Sequence, residues 1–137
     1  MENTTDFRTG RHCVFALHVH LVFVTKYRRN VLTEAAHETL RAIFAHICQE
    51  FEARLVEANG EDDHVHLLVE YPPKMALSKL VNSLKGVSSR RLRQQQTGIA
   101  KRYYKGVLWS SSYFAASCGG APLSIIRQYI EDQRKNL

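Results

Sequence analysis

The sequence has no apolar run long enough to cross a membrane, which takes about 20 consecutive residues. It has only three cysteines, and their odd number and wide spacing fit neither a zinc site nor a disulfide framework. The cysteines are Cys13, Cys48 and Cys118. The first ten residues are polar and partly acidic, which argues against a secretory signal peptide. Together these features predict a reduced, cytoplasmic protein.

Internal repeats, low-complexity tracts and long linkers are also missing. The 137 residues are 45% hydrophobic, which suits one domain with a substantial core. We therefore expect a single domain over residues 1–137, with residues 1–12 as a flexible N-terminal tail.

The charge of the chain is basic and clustered. Lysine and arginine outnumber aspartate and glutamate by 19 to 13. The excess concentrates near residues 26–29, 90–93 and 101–105. Three such clusters in a small domain favour a polyanionic partner, most simply nucleic acid. An ordinary solvated surface is the alternative for each cluster.

Hydrophobic periodicity predicts the element order β-α-β-β-α-β-α. Strands are expected at residues 14–25, 54–58, 64–71 and 107–114, with a turn at Asn59-Gly60. Helices are expected after an N-cap at Thr33, over residues 76–95, and from Pro122 to about Asn136. Four strands with two helices on one face match a ferredoxin-like or RRM-like α+β fold with a four-stranded antiparallel sheet. The C-terminal helix is an addition to that plan.

His64 and His66 form the most informative pattern in the chain. They flank Val65 in an apolar run typical of a strand, and side chains two apart on a strand point to the same face. Both imidazoles could therefore share one ion, since imidazole is the commonest metal-ligand side chain. Three acids at residues 61–63 precede the pair, as further ligands or as a charged turn. The alternative is two half-exposed histidines that make ordinary hydrogen bonds.

The last predicted helix carries a tyrosine and a glutamine about one turn apart. Tyr129 and Gln133 lie on one side of that helix, beside its apolar stripe. Gln133 could add an amide oxygen to two imidazoles, which would leave a divalent cation with open positions for polarising a phosphate. Tyrosine is a known covalent nucleophile, and such a phosphate is a suitable electrophile. Simple packing of Tyr129 against the stripe is the alternative.

Several segments of the chain carry a family resemblance, in order and without an obvious gap. Residues 63–69 resemble the HUH motif (histidine, hydrophobe, histidine). Residues 20–28 and 84–90 resemble signature segments of the single-tyrosine HUH transposases of small bacterial insertion sequences, the IS200-like transposase family. Residues 113–133, which include Tyr129 and Gln133, are similar to the C-terminal block of that family. The resemblance covers roughly residues 12–135.

This resemblance implies a DNA transposase that cuts and rejoins single-stranded DNA at insertion-sequence ends. Tyr129 would attack the scissile phosphate to form a 5′-phosphotyrosine, while His64, His66 and Gln133 would hold Mg²⁺ or Mn²⁺. Such a ligand set would also suit Zn²⁺. The resemblance further implies recognition of subterminal hairpins and a homodimer in which the tyrosine helix can act in the other subunit. The setting would be a bacterial or archaeal cytoplasm, with nucleoid association during transposition.

The basic clusters and a second histidine pair are then candidates for supporting roles. The predicted nucleic-acid contacts are Lys26, Arg28, Arg29, Lys85, Ser89, Arg90 and Arg93. Contacts to phosphates fix the register of DNA without reading its sequence. His18 and His20 repeat the His-x-His spacing on the first strand, where a solvent-facing or orienting role is favoured over ligation.

Other classes of protein remain open at this point. A non-catalytic RRM-like protein could hold single-stranded nucleic acid on sheet aromatics, but it would leave Tyr129 and Gln133 without a function. A rolling-circle initiator or relaxase is usually larger and often has a third histidine ligand, whereas no histidine follows His66. A REP-associated tyrosine transposase shares the histidine and tyrosine features and often carries extra termini.

Overall fold

The computed structural model describes residues 8–9, 14–15, 17–102, 107–117 and 128–132. Within these ranges the strands are β1 (Arg8–Thr9), β2 (Val14–Phe15), β3 (His18–Val24), β4 (Arg54–Gly60), β5 (His64–Glu70) and β6 (Phe114–Ser117). The helices are α1 (Glu34–Glu50), α2 (Leu77–Gln95) and α3 (Thr97–Arg102), and a 3-10 turn covers Lys26–Arg28. Residues 128–132 are also helical. None of the helices in these ranges has the length and apolar character of a membrane span.

The last four strands form one antiparallel sheet in the spatial order β4-β5-β3-β6. The central pair, β3 and β5, carries both histidine pairs. With α1 and α2 at their places in the chain, this order is that of a ferredoxin-like β-α-β-β-α-β unit. The prediction of an α+β fold with a four-stranded antiparallel sheet is therefore confirmed.

The two faces of the sheet have different partners. Val19, Leu21 and Phe23 of β3 pack in the main core together with buried residues of α1 and α2. The alternate residues Val22 and Val24 lie in a second cluster with Ile130. Because strand side chains alternate between faces, α1 and α2 cover one face while residues 128–132 pack on the other.

The start of α1 follows the predicted capping chemistry. Thr33 has extended backbone angles, and its Oγ1 accepts a hydrogen bond from the Ala36 N–H at 3.1 Å. Glu34 in the first turn complements the helix dipole. The predicted helix over residues 76–95 is also confirmed, since α2 spans Leu77–Gln95.

The predicted first strand is wrong in its extent. Residues 14–15 and 18–24 belong to separate strands, because β2 pairs with β1 whereas β3 pairs with β5 and β6. Arg8 and Thr9 lie in the segment for which a tail was expected, yet they form this ladder with β2. The predicted turn at Asn59-Gly60 is also displaced, since both residues end β4 and the turn falls at residues 61–63.

The predicted fourth strand is displaced towards the C-terminus. Residues 107–113 join the sheet only through an isolated bridge between Trp109 and Thr25, and the strand itself is β6. The backbone carbonyls of the serines at residues 110–112 accept from Lys85 Nζ instead of a strand. Buried Trp109 donates its indole N–H to Ser88 Oγ at 2.9 Å. The short helix α3 was not predicted.

Gly60 allows the chain to pass close to itself just before β5, the strand that carries His64 and His66 (the histidine strand). A Cβ at Gly60 would overlap the carbonyl oxygen of His64 and lie 2.7 Å from Cε1 of His37. His37 is buried, with Nε2 2.6 Å from the carbonyl oxygen of Glu61. Any side chain at residue 60 would therefore push on the backbone of His64.

We expect Gly60→Ala to lower the free energy of unfolding by about 1–3 kcal/mol, because it overpacks this crossing. Gly98→Ala in α3 is the matched control, since outside its chain neighbours and the nearby backbone of α3 no atom of the described residues lies within 4 Å of a Cβ built there. The control should be neutral or stabilising by up to about 1 kcal/mol. Urea unfolding of both variants measures the difference, and equal effects would contradict the crowding at Gly60.

Candidate active site

His64 and His66 project from the sheet face that α1 and α2 leave uncovered. Their ring centroids are 4.9 Å apart and the ring planes meet at 81°. In the ladder with β3, His64 lies opposite Val24 and His66 lies opposite Val22. The prediction that both imidazoles share one face is confirmed.

Asp63 fixes the orientation of the His64 ring. Its side chain is buried, and Oδ1 lies 2.7 Å from His64 Nδ1. Burial alone would raise the pKa of Asp63, but the hydrogen bonds from His64 and Arg28 lower that pKa below its usual value. Asp63 is therefore a carboxylate that accepts the Nδ1–H of His64. In the neutral ring the lone pair of His64 is then on Nε2, the arrangement that metal-binding histidines use.

The surroundings of His66 favour its neutral form. Burial lowers its pKa below the usual value, and the neighbouring His64 and His20 rings lower it further. A neutral imidazole has a free lone pair and can ligate a cation. The two rings therefore offer two nitrogen ligands from one strand face.

The remaining candidate ligands differ in availability. Glu61, Asp63 and His64 offer ligand atoms that all lie within 4.8 Å of one another. However, both Asp63 oxygens are occupied, by His64 and by Arg28, so exposed Glu61 is the more available carboxylate. Gln133 lies outside the described residues. The donor set of two imidazoles and a nearby carboxylate fits a divalent cation.

Tyr129 lies on the helical segment that packs against the histidine face. Its hydroxyl is 2.9 Å from Ser112 Oγ, and its ring centroid is 5.6 Å from that of Phe114 on β6. Burial raises the pKa of Tyr129, an effect that the Ser112 hydrogen bond opposes. The next residue, Ile130, packs on Val22 and Val24 of β3. The tyrosine segment is thus seated on the strand that neighbours β5.

Arg28 links the histidine strand to the tyrosine segment. Its Nε donates to Asp63 Oδ2 at 2.7 Å, and its Nη2 lies 3.3 Å from Glu131 Oε1. The Arg28 side chain is only 17% exposed. Burial would lower its pKa, but the two carboxylates raise it above the usual value. The guanidinium therefore remains charged between Asp63 and Glu131.

The backbone that presents Arg28 is strained. Tyr27 has φ 62° and Arg28 has φ 52°, two consecutive non-glycine residues in the left-handed region. Such residues cost on the order of 1–3 kcal/mol each and persist only where surrounding contacts hold them. The ion pairs of Arg28 with Asp63 and Glu131 are contacts of that kind.

Several predicted DNA contacts have internal partners. Lys85 Nζ donates to the carbonyl oxygens of residues 110–112, at 2.8–3.3 Å. Buried Ser89 accepts the Leu108 N–H at 3.1 Å and the Arg93 Nε–H at 3.3 Å. Like Arg28, these residues therefore make contacts within the protein.

The other predicted contacts face outward to differing degrees. Arg90 is exposed on α2. The Lys26 and Arg29 cations lie 5.4 Å and 5.1 Å from the ring centroid of exposed Tyr27. Their contact with DNA stays a prediction.

His18 and His20 lie beside β5, as their strand position suggested. His20 is opposite Leu68, and His18 is opposite Glu70 with its Nε2 3.5 Å from Glu70 Oε2. Buried Glu70 also pairs with Arg8 and Arg54. His18 therefore belongs to a separate polar cluster at the far end of the strand.

Sequence reasoning named Arg28 only as a candidate DNA contact and not as a residue that organises the site, and it did not identify Ser112. Arg28 belongs to an ordinary basic cluster, and nothing in that cluster distinguishes a buried cation from a solvated one. Ser112 fell within a predicted strand, which hid its contact with Tyr129. Asp63 was considered only as a ligand or part of a charged turn, although metal-binding histidines commonly donate their other ring N–H to a carboxylate.

Comparison with known proteins identifies relatives along almost the whole chain. The family model described as "Transposase IS200 like" matches residues 13–133. The ISDra2 transposase TnpA of Deinococcus radiodurans is 30% identical over 128 residues, covering 93% of this chain and 91% of the relative. The transposase for insertion sequence element IS200 of Salmonella typhimurium is 30% identical over 128 residues, covering 93% and 84%.

Solved structures share the fold. A crystal structure of a Deinococcus radiodurans protein assigned as a transposase has a TM-score of 0.81 and 32% identity, covering 92% of this chain and 97% of that chain. A REP-associated tyrosine transposase bound to a REP hairpin has a TM-score of 0.55 and 11% identity, covering 90% and 67%. The second likeness concerns the fold alone.

Fold and relatives together define a DNA-processing enzyme of the transposase class. The chain belongs to the IS200-like transposase family, as the resemblance in its sequence predicted. DNA transposition of an insertion sequence is accordingly the process in which it acts.

We expect the Arg28–Glu131 contact to keep residues 128–132 seated on the sheet. Glu131→Gln removes one charge, and Arg28→Lys removes the fork that bonds two carboxylates at once. Each change should speed backbone amide exchange at residues 128–132 by about two- to fivefold, the range of a partly exposed ion pair. Hydrogen–deuterium exchange mass spectrometry measures this effect.

The control is Asp132→Asn, which removes the same charge from the same turn, where Asp132 accepts from Gln128 at 2.9 Å. It should change exchange less than Glu131→Gln does. In the double variant the two effects should overlap rather than add. Full additivity would show that the contact is not their common cause.

Proposed function

We propose that this chain cuts and rejoins single-stranded DNA at the ends of its insertion sequence through a 5′-phosphotyrosine on Tyr129. One observation carries the proposal: Ile130, next to Tyr129, packs on Val22 and Val24, the β3 residues opposite His66 and His64. Nucleophile and candidate ligands are thereby carried by neighbouring parts of one sheet face.

The proposed chemistry exchanges phosphoester bonds. The phenol oxygen of Tyr129 attacks the scissile phosphorus and loses its proton, while the bond from phosphorus to the 3′ oxygen breaks and that oxygen takes up a proton. A second 3′-hydroxyl then attacks the phosphotyrosine and returns the phenol. Each step replaces one phosphoester bond by another, so no nucleotide cofactor is consumed.

The surroundings of Tyr129 determine the protonation state from which its hydroxyl attacks. Burial raises the pKa of Tyr129, so the phenol is protonated at neutral pH and the phenolate forms only as the new bond forms. The Ser112 hydroxyl, 2.9 Å from the phenol oxygen, can turn its proton towards that oxygen. Donation from Ser112 would stabilise the developing negative charge.

His64, His66 and Gln133 are the proposed ligands for Mg²⁺ or Mn²⁺. When bound, the ion would act as a Lewis acid on the scissile phosphate. Asp63 supports this role because it holds the proton on Nδ1 of His64 and leaves Nε2 free. The lowered pKa of His66 supports it as well, since that ring presents its lone pair at neutral pH.

The proposed substrate is single-stranded DNA with subterminal hairpins, bound by a homodimer in which the tyrosine helix can serve the other subunit. The formal net charge of +6 supports a polyanionic partner. A protein of similar fold, a REP-associated tyrosine transposase, has been solved with a REP hairpin bound. Lys26, Arg29, Arg90 and Arg93 are the proposed phosphate contacts.

We expect the protein to form a covalent complex with single-stranded DNA from its own insertion-sequence ends. Tyr129→Phe should abolish the complex, because it removes the attacking oxygen and leaves the ring that packs on Phe114. Tyr113→Phe, at a partly exposed tyrosine one residue before β6, is the matched control and should retain it. Denaturing SDS gels with labelled DNA provide the readout.

Two results would count against this assignment. A covalent band that survives Tyr129→Phe would move the nucleophile to Tyr103, Tyr104 or another tyrosine. Tight binding without any band, across several metals, would favour the non-catalytic binding module.

We expect chelated protein to regain covalent complex formation with Mg²⁺ or Mn²⁺. His64→Ala and His66→Ala should each lower the rate by about 10–100-fold or more, the loss typical of a disturbed metal site. His46→Ala is the control, because His46 is an exposed residue of α1 that pairs with Glu50 at 3.0 Å. Rates measured after each refill test the metal, and activity with Zn²⁺ alone would overturn the choice.

A further inference from the structure

A cleft lies between α2 and the loop that leads to β6. Its volume is about 260 Å³. One wall is a single stretch of α2, with Lys85, Gly86, Ser89 and Arg93, and the other is the loop from Val107 to Ser111. None of the catalytic roles proposed above uses this cleft.

Gly86 is the unexplained residue of the cleft. It lies inside the 19-residue helix α2, where glycine costs up to about 1 kcal/mol relative to alanine. Apart from its chain neighbours and the nearby backbone of its own helix, no atom of the described residues lies within 4 Å of a Cβ built at this position. Packing within the described part of the protein therefore does not require glycine. Glycine is a residue that lets a ligand approach a backbone closely.

The lining of the cleft combines an apolar floor with a cationic rim. The Cα of Gly86 and the exposed side chain of Val107 are apolar parts of the lining. Arg93 lines the rim, and exposed Arg90 follows Gly86 by four residues on the same side of α2. A flat apolar ring joined to an anion matches both parts, which describes a nucleotide better than a free anion or an apolar peptide.

The loop that lines the cleft continues directly to the residue that contacts the tyrosine. Lys85 holds the carbonyl oxygens of residues 110–112 on one side of the loop. On the same loop, the Ser112 hydroxyl meets the Tyr129 hydroxyl. A ligand between Gly86 and Ser111 would therefore lie one residue away from the contact that positions the proposed nucleophile.

From these observations we infer that the cleft over Gly86 holds one unstacked nucleotide of the DNA strand, next to the phosphate that Tyr129 attacks. The base lies against the backbone of Gly86 and against Val107, and its phosphate faces Arg93 and Arg90. This inference rests on the proposed function, since it assumes that the substrate is single-stranded DNA.

The test adds side chains at Gly86 and measures binding and stability together. Gly86→Ala and Gly86→Leu should raise or preserve the melting temperature, because both residues favour helix more than glycine does. Gly86→Leu should nevertheless weaken binding of labelled single-stranded DNA from the insertion-sequence end about tenfold, because its side chain would occupy the place of the base. Gly86→Ala should fall between Gly86→Leu and the wild type.

Gly98→Ala and Gly98→Leu are the matched controls, because Gly98 is also an exposed helical glycine with open space around it in the described structure. They should leave DNA binding unchanged. Wild-type binding by Gly86→Leu would overturn the cleft assignment. A fall in melting temperature with unchanged binding would do so too, since it would show that the chain itself fills the cleft.

The same preparation separates this inference from the proposed function. If the wild type forms no covalent complex that depends on Tyr129, the proposed function fails. If that complex forms equally in the wild type and in Gly86→Leu, at DNA concentrations below saturation, only the cleft assignment fails.

Discussion

The buried carboxylate of Asp63 is the charge on which the site depends. An ionised group inside a protein is costly unless it is paired and hydrogen-bonded, and Asp63 meets this demand with both side-chain oxygens. One oxygen orients His64, and the other holds Arg28, which in turn reaches Glu131. The backbone carbonyl of Asp63 accepts from the N–H and the hydroxyl of Thr25. A single residue thus joins the histidine strand, the turn after β3 and the tyrosine segment.

Much of the fold could be predicted because it follows from local periodicity. Alternation along β3 separated the core residues from the histidine side of the sheet, and the cap at Thr33 marked the start of α1. The errors arose where a distant partner overrides the local pattern. The apolar residues around Trp109 suggested a strand, but Trp109 forms only an isolated bridge to Thr25. Lys85 then binds the carbonyls of residues 110–112, so the continuous ladder begins at Phe114.

The site could be predicted only in part, for a related reason. The spacing of His64 and His66 on a strand determines that they share a face, so the sequence contains that information directly. The two partners of Arg28 are distant in the sequence. Asp63 lies 35 residues away and Glu131 lies farther still, so no local pattern indicates them. The role of Ser112 likewise depends on how a loop meets a helix late in the chain.

Core residues and site residues alternate along the central strands, and this alternation restricts which sequence changes the strands can accept. In β5 every second residue fills the core, and the residues between them include His64 and His66. A one-residue insertion or deletion within β5 would exchange the two sets, placing imidazoles in the core and valines at the site. Single residues of β5 can be substituted one at a time. The strand cannot gain or lose one residue without exchanging its two faces. Variation in chain length should therefore accumulate in the loops and termini, while the central strands change only in composition.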